Sequence, residues 1–172
     1  QGFQREDFYP NTFKKGKTAI DIHTHILWAD RIKARRLLLN QSQECIFRNT
    51  QKITVEGENA LCLSLYDQVL YLSLHVLKHN AERLIWLVDI KSLVGDWTPA
   101  EWKGLMNRAN ALGLEKVMVM LVFLMKELLG YQLPIDVQPI LYSKKLSVLE
   151  KAILKRRMKK NTLPSWTQLF LL

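Results

Sequence analysis

Two periodicities divide this chain near Ser64. Before it, short apolar and polar positions tend to alternate; after it, apolar residues recur every three or four. Over residues 18–26 the order T-A-I-D-I-H-T-H-I places Ile20, Ile22 and Ile26 on one side of an extended chain and Asp21, His23 and His25 on the other. A strand there would bury one face and present a carboxylate and two imidazoles on its reverse. The same alternation also fits a half-buried strand whose polar face meets only solvent. Residues 9–13 supply a partner strand across Lys14-Lys15-Gly16-Lys17, with Gly16 taking the positive φ of a tight turn. A second hairpin is expected over residues 53–63, turning at Glu56-Gly57-Glu58-Asn59. Between the hairpins, residues 29–40 read as helical and residues 43–49 as another turn or two.

Helical spacing governs the rest. Ser64 followed by Asp67 is a helix start, because the hydroxyl caps an orphan amide while the acid sits at the positive end of the helix dipole. The helix beyond it is apolar almost all round (Leu65, Val69, Leu70, Leu72, Leu74, Val76, Leu77), which predicts burial. One stripe is polar. Gln68, Tyr71, His75, Lys78 and His79 fall at spacings of three and four, and the stripe reaches Glu82 and Asp89 if the helix runs past Asn80. Residues 82–94 form the next helix, ended by Gly95. Thr98-Pro99-Ala100-Glu101 restarts it with a capping threonine, a proline at the first helical position and a glutamate at the third. That helix should stop at Gly113, and the apolar helix over residues 114–129 at Gly130. Pro134 and Pro139 mark an extended crossing. Ser143 caps a final helix over residues 144–160, with Leu146, Leu149, Ile153 and Leu154 as a narrow apolar stripe. The tail over residues 162–172 carries Trp166, Leu169, Phe170 and Leu172 and is expected to tuck onto the core. The fold class is therefore mainly α (α+β): five or six helices with one or two small antiparallel β-hairpins on the N-terminal side. A hairpin region over 1–63 would precede a helical domain over 64–172.

Composition narrows the function classes. The 172 residues are 48% apolar and 24% charged, ordinary values for one globular core. No run of eighteen apolar residues occurs, and the first residues lack the basic and apolar regions of a signal peptide. Cys45 and Cys62 fit free thiols in a reducing compartment. The expectation is a cytoplasmic protein with no membrane partner. The net charge of +9 is clustered. Lys14, Lys15 and Lys17 precede the opening strand, Arg31, Lys33, Arg35 and Arg36 follow it, and residues 144–160 carry Lys144, Lys145, Lys151, Lys155, Arg156, Arg157, Lys159 and Lys160. Such clusters suit a polyanion: nucleic acid, a nucleoside triphosphate or an acidic protein. For the last cluster alone, a solvated helix face is the better explanation.

All four histidines come in pairs, His23 and His25 two apart on a strand, His75 and His79 four apart on a helix. Either spacing puts two imidazoles on one face, as metal sites require. Helical pairs on a polar stripe are more often hydrogen-bonded than metallated, so zinc is not expected. Asp21-X-His23-X-His25 is also similar to the opening metal motif of amidohydrolases. Those are strand–helix barrels of about 200 residues or more, and no strand–helix alternation follows here.

A broader resemblance runs from about Thr18 to Pro134. A-I-D-I-H-T-H-I, then the segment from Asp67 to Val94, then Asp96-Trp97, A-N-A-L-G-L and L-L-G-Y-Q-L-P resemble, in order, the uncharacterised bacterial nucleotidyltransferase family. Its aspartate-aliphatic-histidine strand matches Asp21 and His23. Its histidines four apart match His75 and His79, and its Trp-Leu-Val-Asp-Ile-like segment matches Trp86 to Ile90, which includes Asp89.

The resemblance implies two Mg²⁺ ions held by three carboxylates, two from an Asp-X-Asp pair on one strand and a third from its neighbour, acting on a nucleoside triphosphate and an unidentified hydroxyl acceptor. By position Asp21 is that third carboxylate, both metal ligand and catalytic residue. Lys14, Lys15 and Lys17 would attract phosphate; His23, His25, His75, His79 and Asp89 would touch substrate or pin strand to helix. The sequence holds no Asp-X-Asp, and the adjacent Glu6 and Asp7 would point to opposite strand faces. With Gln rather than Met first, the catalytic pair is expected upstream of Gln1, and this chain alone is expected to be nearly inactive. The rival expectation is a non-catalytic basic helical module that binds a protein or nucleic acid through residues 144–160.

Overall fold

The computed structural model describes residues 2–5, 11–22, 25–26, 39–142 and 145–159, the side chains of 142 and 157–159 excepted. The chain divides into two compact units, residues 1–35 and 36–172.

In the first unit β1 (Gln4–Arg5), β2 (Thr12–Lys15) and β3 (Thr18–Asp21) form an antiparallel sheet in the order β1-β2-β3. Lys15 pairs with Thr18, so the turn is the two residues Gly16-Lys17, with Gly16 at φ 59°. Glycine at the first central position gives a turn whose twist matches the flanking strands. The expected hairpin is there, but its second strand is shorter than the alternation predicts. Ile22 adds one more bond, its N–H to the Asn11 carbonyl at 2.8 Å, and His25 and Ile26 already lie in a bend and turn. Of the buried face predicted for this strand only Ile26 is buried, at 4%: all of β3 is exposed, with Ile20 at 44%, and Ile22 just beyond it is 50% exposed. A sheet face is buried only when a second layer packs on it, and the described residues of this unit supply no such layer. The helix expected over 29–40 lies, apart from Leu39 and Asn40, outside the described residues.

The second unit begins with the single turn α1 (Glu44–Phe47) and a hairpin of β4 (Thr50–Val55) and β5 (Glu58–Leu63). Its two turn residues, Glu56 at φ 51° and Gly57 at φ 85°, are both left-handed, as the tightest hairpin turn requires. Then come α2 (Leu65–Lys78), α3 (Leu84–Val94), α4 (Pro99–Leu112), α5 (Glu115–Leu129), α6 (Gln138–Tyr142) and α7 (Val148–Lys159). The fold is thus α+β and mainly helical; among the described residues there are five long helices and two short ones beside two small sheets. Ser64 caps α2 by accepting the Asp67 amide, and Thr98 and Glu101 form a reciprocal capping box at the start of α4. Left-handed Gly113 and Gly130 end α4 and α5. The core is built on α5, whose residues 117–122 are buried on every side and which packs on α2, α3, α4 and α6.

Three expectations about these helices are corrected. The extended crossing after Pro134 contains α6, because Pro139 sits in its first turn, where a missing N–H is harmless. The last helix begins at Val148, where Ser147 and Glu150 exchange backbone and side-chain bonds as a capping box. Its apolar stripe is also narrower than predicted: Leu146 and Leu154 are buried but Leu149 is 69% exposed. The tail from Thr162 lies outside the described residues.

Candidate functional site

The register of the first sheet decides what surrounds Asp21. A two-residue turn makes Lys15–Thr18 a hydrogen-bonded pair, so alternation makes Phe13–Ile20 another and Thr12–Asp21 a non-hydrogen-bonded one. The Ile22 N–H bond to Asn11 fits that phase. Side chains approach most closely in non-hydrogen-bonded pairs, and here the Thr12 hydroxyl donates to Asp21 Oδ1. Asp21 itself is exposed, and Oδ2 has no hydrogen bond or ion pair among the described residues. Strand alternation places Lys14 on the same face, diagonal to Asp21. Lys15 stands on the reverse face beside Phe13 and Ile20, its Nζ 5.8 Å from the Phe3 ring centre, and Lys17 is in the turn. Of the three lysines read as phosphate ligands, Lys14 is the one that shares a strand face with the carboxylate.

The histidines divide differently from their sequence pairing. His23 lies outside the described residues, and His25 is half-buried in the bend after β3. On the second unit the His75 and His79 rings meet at 44° with centroids 4.6 Å apart, and Trp86 of α3 packs edge-on to His75 at 4.6 Å and tilted against His79 at 5.4 Å. The Arg83 guanidinium lies 5.7 Å from the Trp86 ring, and His79 Nδ1 is 3.8 Å from Glu82. Burial, then the charges of Lys78 and Arg83, hold His79 below the ordinary histidine value against the opposing pull of Glu82. That environment favours the neutral form of the His79 ring.

The polar stripe does not continue to Asp89 on one helix. At the end of α2 the Asn80 amide bonds the Leu77 carbonyl at 3.2 Å and the Ala81 amide that of Val76 at 2.9 Å, the paired bonds of a Schellman ending. Asn80 and Ala81 are left-handed, at φ 54° and 53°. Asparagine at the position usually given to glycine stops the helix, so Asp89 falls on α3, exposed and without a hydrogen bond among the described residues.

Sequence reasoning missed a buried polar node. Asp67, fully buried, takes both arms of Arg108, from Nε at 2.7 Å and Nη2 at 3.1 Å. It also accepts from Ser64 Oγ at 2.8 Å and Asn49 Nδ2 at 3.2 Å, and Arg108 reaches the Cys45 carbonyl at 3.3 Å. These bonds to Asp67 hold the Arg108 guanidinium above its ordinary value. The sequence showed Asp67 as a first-turn acid; nothing marked a partner 41 residues on. The basic final helix is likewise less free than its composition suggests. Lys155 pairs with Glu127 of α5 at 2.8 Å, and Glu150 pairs with Lys116, which holds the Glu150 carboxyl below its usual range.

Among the described residues no three His, Cys, Asp or Glu side chains gather as a metal-binding group. Asp21, with one oxygen tethered and the other open, suits one ligand position; two divalent ions need carboxylates that the described residues do not bring to it. No helix among the described residues is long and apolar enough to cross a membrane. In comparisons with known proteins, a family model described as an uncharacterised nucleotidyltransferase matches residues 1–130. No curated protein and no solved structure matches the chain.

Proposed function

The chain belongs to the uncharacterised nucleotidyltransferase family, and on that premise we propose that it serves the Mg²⁺-dependent transfer of a nucleotidyl group from a nucleoside triphosphate to a hydroxyl acceptor, with Asp21 as one of the metal-binding carboxylates. The observation that carries this reading is the state of Asp21: exposed at the end of a paired strand, Oδ1 held by Thr12 and Oδ2 open. When bound, magnesium would neutralise the triphosphate and align the acceptor hydroxyl. The residues of this chain would bind and orient. Asp21 presents a fixed charge, and Lys14, on the same face, attracts phosphate oxygens. The remaining carboxylates would come from residues outside the described set, so no complete step is assigned to these residues alone. His75, His79 and Trp86 support the corner between α2 and α3, a structural part rather than a chemical one. A cytoplasmic site of action agrees with a triphosphate substrate and with free Cys45 and Cys62.

The rival, a non-catalytic module that docks a polyanion through its last helix, has less support, since Lys155 and Glu150 are engaged with α5. The test uses the intact protein as its cells make it, given Mg²⁺ and nucleoside triphosphates labelled at the α-phosphate. Asp21→Ala should lower label transfer by about a hundredfold or more. Unchanged transfer would remove Asp21 from the reaction and overturn the reading.

A further inference from the structure

We draw no further inference here: the strongest candidate, the exposed apolar patch that Leu84, Ile85 and Val88 form on α3, carries none because nothing in the structure shows what covers it.

Discussion

Gly104 lies inside α4, where alanine ordinarily stabilises a helix by up to about 1 kcal/mol. A Cβ there would fall 2.7 Å from Tyr66 Cζ and 2.9 Å from Cε2. Tyr66 cannot swing aside cheaply, because its ring packs edge-on to Trp97 at 5.6 Å and Trp97 packs on buried Trp102 at 5.5 Å. Overpacking of this kind costs about 1–3 kcal/mol. Gly104→Ala should therefore lower the urea midpoint, and the same change in a Tyr66→Ala background should raise it. The ring that makes Gly104 obligatory comes from another helix. Residues that act on their own chain neighbours were the legible ones. Ser64, Thr98, Gly113 and Gly130 begin and end helices where their side chains, or the lack of one, say they should.

Helices α2 and α4 are joined through Asp67 and Arg108, α1 through the Cys45 carbonyl, and the loop before β4 through Asn49. Every polar atom of the carboxylate is used, which is the condition under which a buried ion pair is tolerated. Removing one partner leaves the other charge stranded. Asp67→Ala should cost about 3–5 kcal/mol in chemical unfolding. The double change Asp67→Leu with Arg108→Met should cost much less than the sum of the single ones. A double-mutant cycle on these four proteins measures the coupling. Element boundaries failed where a competing local signal decided them. The stripe on α2 would reach Asp89 only on a helix running past Asn80, and Asn80 takes the left-handed position and ends it; Ser143 was a plausible cap, but Ser147 has Glu150 three residues on to complete the box.

At the scale of the whole molecule, stability should fall on the acid side for a reason the histidine cluster supplies. His79 is held below its ordinary value in the folded protein, so the unfolded chain binds more protons as pH drops. Its contribution is fully present above about pH 6.5 and is lost as pH falls through the lower folded value. Urea midpoints should fall between pH 7 and pH 5, and His79→Gln should flatten that slope. Glu101 and Glu150, both held below the ordinary carboxylate value by capping bonds and, for Glu150, chiefly by Lys116, add a second decline only at still lower pH. The sequence by itself determined α2 to α5, the caps at Ser64, Thr98, Gly113 and Gly130 and the two hairpin turns, because these depend on neighbours within about four positions and on backbone sterics that glycine, proline and capping side chains decide locally. It also carried the family, through motifs in order from about Thr18 to Pro134, and the family model matches residues 1–130. Only the tertiary structure decided which lysine shares a face with Asp21, that Thr12 holds its carboxylate, that Arg108 answers Asp67, and that the face of β3 bearing Ile20 is exposed. Each is a relation between residues on different elements, set by pairing register or by whether a second layer covers a surface, and neither is written in the spacing of any single segment.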